Sequence, residues 1–245
     1  MLNRRLIRIK VFKVLYSCIS SGSNSFAEAE KNMHYSCEKT LHLYYFMLNA
    51  AVALKQAADA KIETGMRKFN PTEEERNPNL KFSENKVSEY LLGNPIFKKY
   101  CEENVLSWNG DLALFVKKLF ASISEKDYFK EYMERESRSM AEDCDLFIRI
   151  FEEEFEDNEA LESFLEDMSI YWIDDLGYVL NTIIRNLELL RKSSKMPMPG
   201  IFMKEDDKEY AFNLLRFSLA NYSKYMAIIR ENIANWDPER VVTTD

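Results

Sequence analysis

Apolar positions along this 245-residue chain recur three and four residues apart almost throughout, the spacing of helices that bury one face. The first such helix is predicted from an Asn3 N-cap to the Ser20-Ser21-Gly22-Ser23-Asn24-Ser25 loop. On its wheel Ile7, Val11, Val14 and Cys18 form one stripe, while Ile9, Phe12, Tyr16 and Ile19 form a second on nearly the opposite side. Arg4 and Arg8 share one flank between the stripes with Arg5 close by, and Lys10 and Lys13 take the other. A helix apolar on two sides is buried on both, or buried on one and offered to a partner on the other.

Residues 26–69 read as one long helix or two consecutive ones, with Thr40 as the expected cap of the second. Leu41, Tyr45, Leu48 and Val52 form its face. Asn70-Pro71 and Asn77-Pro78 then break the pattern, because proline disfavours helix at the residue before it. This is the strongest internal boundary. Shorter helical patterns follow at 84–92, 111–122, 127–136, 142–154 and 159–168. A wide face at 174–191 is made by Leu176, Val179, Leu180, Ile183, Ile184 and Leu187. The Pro- and Lys-bearing loop 192–200 separates these from two more helices at 208–219 and 223–235. No internal repeat and no low-complexity tract is found. Trp236-Asp237-Pro238-Glu239-Arg240 has the N-cap Asp, N1 Pro and first-turn acid with which helices begin, close to the last residue, Asp245.

Composition strengthens the helical reading. Six Gly and six Pro are few for this length, and 16 Phe, 13 Tyr and 3 Trp supply an ordered core rather than disorder. The expected fold class is all-α, built from helical bundles. Cys18, Cys37, Cys101 and Cys144 show no CxxC spacing and read as buried thiols of a reducing compartment. Lys10 and Lys13 interrupt the apolar residues near the amino terminus, so no signal-peptide core forms there. No apolar run reaches the roughly 18 residues a membrane span requires. A cytoplasmic protein without membrane attachment is expected.

Charge is distributed unevenly at one place. The formal net charge is -8, yet the first sixteen residues hold five basic side chains, and no carboxylate appears before Glu28. Arg4, Arg5, Arg8, Lys10 and Lys13 are therefore candidates to neutralise phosphates, with Tyr16 and Phe12 as platforms for unpaired bases. An ordinary amphipathic helix whose basic groups pair with the acidic body gives the same pattern. Glu30, His34, Glu38 and His42 line one helix face and invite a metal hypothesis. However, ligands eight residues apart on a helix lie about 12 Å apart, and a ladder of i,i+4 ion pairs accounts for the spacing. The acidic run from Glu152 to Asp157 lacks the spacing of a calcium loop and reads as a solvated face. Asp174 reads as the N-cap of the 174–191 helix. No Gly-rich phosphate loop, GxSxG elbow or His-paired nucleophile is present, so no enzyme, cofactor or metal is expected.

The sequence Arg4-Arg5-x-x-Arg8 leading into Leu15-Tyr16 resembles the arginine-rich first helix of the bacterial transcription antitermination family NusB. Asn70-Pro71-Thr72-Glu73-Glu74, Leu106-Ser107-Trp108, Ser169-Ile170-Tyr171-Trp172-Ile173-Asp174-Asp175-Leu176 and Asn235-Trp236-Asp237-Pro238-Glu239-Arg240 are similar, in that order, to a long-form branch carrying a helical insertion. The resemblance implies an amino-terminal bundle at 1–69, an insertion at 70–235 and the opening of a second bundle at 236–245. It implies binding of boxA-like single-stranded RNA together with NusE, a small-subunit ribosomal protein, within the RNA polymerase antitermination complex. Arg4, Arg5 and Arg8 match family positions that contact or steer RNA, with Lys10 and Lys13 adding charge beside them. Leu6 stands where other members often have a further arginine. The Phe-Val-Asn-Gly signature of the family's second bundle is absent. The expectation is thus a chain truncated relative to the family, with a helical protein-interaction scaffold without RNA affinity as the alternative.

Overall fold

Thr40 caps nothing: in the computed structural model, which describes residues 1–22 and 25–233, it lies buried inside a continuing helix and its Oγ1 donates to the Ser36 carbonyl one turn back. That back-bond is how a mid-helix threonine satisfies its hydroxyl without ending the helix. Helix α1 spans Arg4–Ser21, α2 Phe26–Leu48 and α3 Ala50–Met66. Asn49 joins the last two in helical conformation, and its side-chain amide donates to the Leu106 carbonyl at 2.9 Å. The expected face Leu41, Tyr45, Leu48 and Val52 is buried throughout.

Helices α4 (Glu73–Arg76), α5 (Lys86–Gly93), α6 (Pro95–Glu103), α7 (Asp111–Glu125) and α8 (Asp127–Glu134) follow. The Asn70–Asn79 break therefore holds one helical turn, closed by a Thr72–Glu75 capping box. Helix α6 was missed by the apolar pattern. Pro95 is its N1 residue, and Asn94 Oδ1 accepts from the amides of Ile96 and Phe97, so this Asn-Pro starts a helix instead of ending one. Next are α9 (Met140–Ile150), which runs into a π turn at Phe151–Phe155, and α10 (Glu159–Met168). A 3-10 turn at Ile173–Asp175 leads into α11 (Leu176–Ser193), so Asp174 lies within a turn rather than at the cap. Helices α12 (Asp206–Ala220) and α13 (Tyr222–Asn232) complete an all-α chain with no strand among the described residues. The helix start expected at 236–245 lies outside those residues.

Contacts divide the chain once inside a helix and once in the 192–200 loop. Residues 1–41 with 199–245 form one compact unit, and 42–198 form the other, the division falling within α2. In the first unit α12 packs on α1, so elements from the two ends of the sequence share a core. In the second, α9 packs on α11 and α5, and α3 on α7. Its centre is aromatic: Phe46 stacks between Trp108, at 4.5 Å between centroids, and Trp172, at 5.2 Å. The Trp108 indole N–H donates to the Phe46 carbonyl at 2.8 Å. Tyr44 is buried with its hydroxyl accepting from Asn186 of α11, and burial pushes its pKa far up. The four cysteines are all thiols. No described helix is long and apolar enough to cross a membrane.

The solvent face of the first helix as a candidate functional site

Asn3 caps α1 as its sequence predicts, with Oδ1 accepting from the Leu6 amide at 2.9 Å. Gly22 closes it at φ 66°, a left-handed conformation that favours glycine, and its N–H reaches the Cys18 and Ile19 carbonyls. Ile7, Val11, Val14 and Cys18 are buried. Leu2 is held in a short backbone bridge, donating to the Ile201 carbonyl and accepting from the Met203 amide. The starts of α1 and α12 are thereby tied side by side within their unit.

The five basic side chains separate into three kinds. Arg4 is a structural cation: its guanidinium reaches Asp206 Oδ2 at 2.7 Å and Asp207 Oδ1 at 3.1 Å and lies 4.8 Å from the Tyr210 ring centroid. The hydrogen bond to Asp207, with the charge of Asp206 behind it, raises the arginine's pKa further. Lys10 is a correction to the sequence reading. It is only 3 % exposed, with Nζ donating to Ser36 Oγ at 3.2 Å, and it offers no charge to a ligand on the outer face. The signal was present: Lys10 is three residues after Ile7 and four before Val14, on the stripe that packs inward. Arg5, Arg8 and Lys13 are exposed, and Arg5 and Arg8 pair with no carboxylate among the described residues.

The second apolar stripe is left in solvent. Ile9 is 41 %, Phe12 45 % and Tyr16 41 % exposed. Arg5, Ile9, Phe12 and Tyr16 succeed one another at intervals of four, three and four, so they share one line along α1, with Arg8 and Lys13 alongside. Helix electrostatics does not account for this arrangement. The amino-terminal end of a helix carries partial positive charge, and each cation there costs about 0.3–1 kcal/mol. The first turn of α1 holds no acid. Asp206 and Asp207 answer Arg4, whereas nothing described answers Arg5 and Arg8.

The remaining sequence candidates disperse. Glu30 accepts from Arg216 of α12 at 2.6 Å, His34 faces Glu38 at 3.5 Å, and His42 meets the Tyr100 ring edge-on at 5.9 Å. Of the acidic run, Glu152 and Glu153 are exposed, but Glu154 is buried and accepts from Tyr128 Oη at 3.0 Å. Among the described residues no group of three or more His, Cys, Asp or Glu side chains is arranged to hold a metal ion.

Arg4→Ala is expected to lower the unfolding midpoint, because Asp207, buried at the start of α12, loses the guanidinium it accepts from, whereas Arg5→Ala, which removes an unanswered cation from the helix start, should hold or slightly raise it. Circular dichroism melts of the two variants make the comparison. No family model, no curated protein and no solved structure matches this chain.

Proposed function

We propose that the chain is a non-enzymatic, cytoplasmic RNA-binding factor of the NusB type, gripping single-stranded RNA on the solvent face of α1. The observation that carries the reading is the exposed line of Ile9, Phe12 and Tyr16 beside two guanidiniums that have no carboxylate partner among the described residues. Arg5 and Arg8, with Lys13, meet phosphates, and the rings of Phe12 and Tyr16 take unstacked bases. Each stacked base is worth about 1–3 kcal/mol. Arg4 acts by holding α1 to α12 and so positions the line instead of contacting the strand. On the resemblance set out above, the strand is boxA-like RNA, the co-ligand is NusE, and the setting is the RNA polymerase antitermination complex.

Fluorescence anisotropy with a labelled boxA-like RNA and a scrambled control, with and without NusE, tests this. Saturable binding that favours the boxA-like strand is expected. Its affinity should fall with salt at a slope of about 0.7 in log–log units for each phosphate neutralised, so about 1.4–2 for two or three contacts. Equal affinity for both strands, or none at low salt even with NusE, contradicts it.

A second reading rests on the other helices of the same unit. Phe217, Tyr225 and Ile228 on α12 and α13 are exposed, as suits a protein-interaction scaffold. Retention of NusE by a chain that binds no RNA is the outcome specific to that reading.

A further inference from the structure

Well-packed helices leave few voids larger than a water molecule between them, and α3 and α7 depart from this. A cleft of about 540 Å³ opens between them, within the size range of small-molecule sites. Its cause is legible in α3, where Ala53, Ala57 and Ala60 follow one another at intervals of four and three and leave a line of methyl groups along the face that lines the cleft. Trp108, Val116 and Phe120 line the cleft as well. Three lysines, Lys61, Lys68 and Lys117, also line it, against the single carboxylate of Glu75, which Lys68 already holds. Lys61 and Lys117 pair with no carboxylate among the described residues, and Lys61 Nζ lies 5.6 Å from the Phe120 ring centroid. A local excess of positive charge over an apolar floor, in a chain of net charge -8, selects for an anion with an apolar body.

A second cavity of about 260 Å³ adjoins the first, sharing Lys61, Gly65, Glu75 and Phe120 with it. Its lining combines Phe82, Phe120 and Phe129 with the carboxylates of Glu74 and Glu75, and includes Ser83, which is only 8 % exposed and whose Oγ has no hydrogen-bond partner among the described residues. A buried hydroxyl left unpaired destabilises the fold, and a polar atom of a bound molecule would offset that. We propose that the cleft between α3 and α7 is a binding site for a small amphipathic carboxylate, its anionic end at Lys61 and Lys117 and its apolar body against Ala57, Val116 and Phe120. The site is independent of the α1 face and of the RNA reading.

The test uses the intact chain and two probes of one shape, the anionic dye 1-anilinonaphthalene-8-sulfonate and its uncharged analogue N-phenyl-1-naphthylamine. Saturable binding of one equivalent of the anionic dye to the native protein is expected, with displacement by dodecanoate if the natural body is aliphatic or by 1-naphthoate if it is aromatic. Lys61→Glu with Lys117→Glu, both at exposed positions, should weaken the anionic dye about tenfold and leave the uncharged analogue unchanged. Ala57→Phe, which fills the floor, should remove both, and Phe12→Ala should change neither. Failure of both carboxylates to displace the dye, equal affinity in the charge-reversed variant, or loss of dye binding in Phe12→Ala overturns the assignment.

Discussion

Trp108→Ala is expected to destabilise the 42–198 unit by about 3–5 kcal/mol, the usual cost of emptying a large aromatic site in a packed core. The indole is almost fully buried and stacks on Phe46 at 4.5 Å. It also meets Phe115 and Phe155, each with centroids 6.1 Å away. Truncation removes those contacts and the N–H donor to the Phe46 carbonyl together. Trp108→Phe separates the two losses: most of the packing survives, the hydrogen bond does not, and the expected cost drops to about 1 kcal/mol. For a protein of this size each kcal/mol moves the unfolding midpoint by about 2–4 °C, so the alanine variant should melt about 10 °C early. Differential scanning calorimetry of the pair makes the measurement. Equal midpoints for the two variants would mean that the stack around Phe46 does not hold this core together.

Lys81→Ala should cost a similar amount by a different route. Lys81 is 3 % exposed, and its Nζ donates to the Tyr132 and Arg135 carbonyls and to Glu142 Oε1 at 3.1 Å. One ammonium thus fastens the segment before α5 to the end of α8 and the start of α9. Removing one member of a buried ion pair leaves the other charged and unpaired, a loss of about 3–5 kcal/mol. The pH dependence gives the sign. Burial pushes the Glu142 carboxyl up, but hydrogen bonds from Ser137 and Lys81 outweigh it and hold its pKa below the ordinary value. In the wild type that contribution is present above the unfolded carboxylate pKa and is lost as pH falls through the lower folded one. With Lys81 gone its hydrogen bond and its charge no longer oppose burial, the Glu142 pKa rises from its wild-type position, and protonation relieves the charge left without its ammonium. The gap between variant and wild type should therefore narrow on acidification, and Lys81→Met with Glu142→Gln should recover part of the stability. Chemical denaturation at neutral pH and at about pH 4, within the carboxylate range, reads both effects.

Helix periodicity carried the all-α class and the larger helices, because each buries a stripe whose spacing is set by its own backbone. It failed where a single side-chain hydrogen bond, local or tertiary, decides. Thr40 has the side chain of a cap, but α2 continues through it. Asn94-Pro95 looks like a stop, yet the free side chain of Asn94 caps the helix that Pro95 opens. Lys10 is a basic residue on the inward stripe, and its amine is met there by partners such as Ser36 on the next helix. The same holds for the candidate site. That α1 has a basic flank and a second apolar line was readable from its first turns. Which arginines remain available was not, because Asp206 and Asp207, which take Arg4, lie some two hundred positions away in sequence. The cleft between α3 and α7 is not legible in the sequence, since alanines at helical spacing read as ordinary helix formers until the opposite wall is known.

Direct titration of boxA-like RNA into wild type, Arg4→Ala and Arg5→Glu with Arg8→Glu tests the central claim, that the outer face of α1 is the RNA surface. The charge-reversed pair is expected to lose saturable binding while keeping its circular dichroism spectrum and at least the wild-type melting point. Arg4→Ala, which removes a cation already bound to α12, is expected to keep RNA affinity at temperatures where it remains folded. Wild-type affinity in the charge-reversed pair would contradict the claim and leave the scaffold reading in its place.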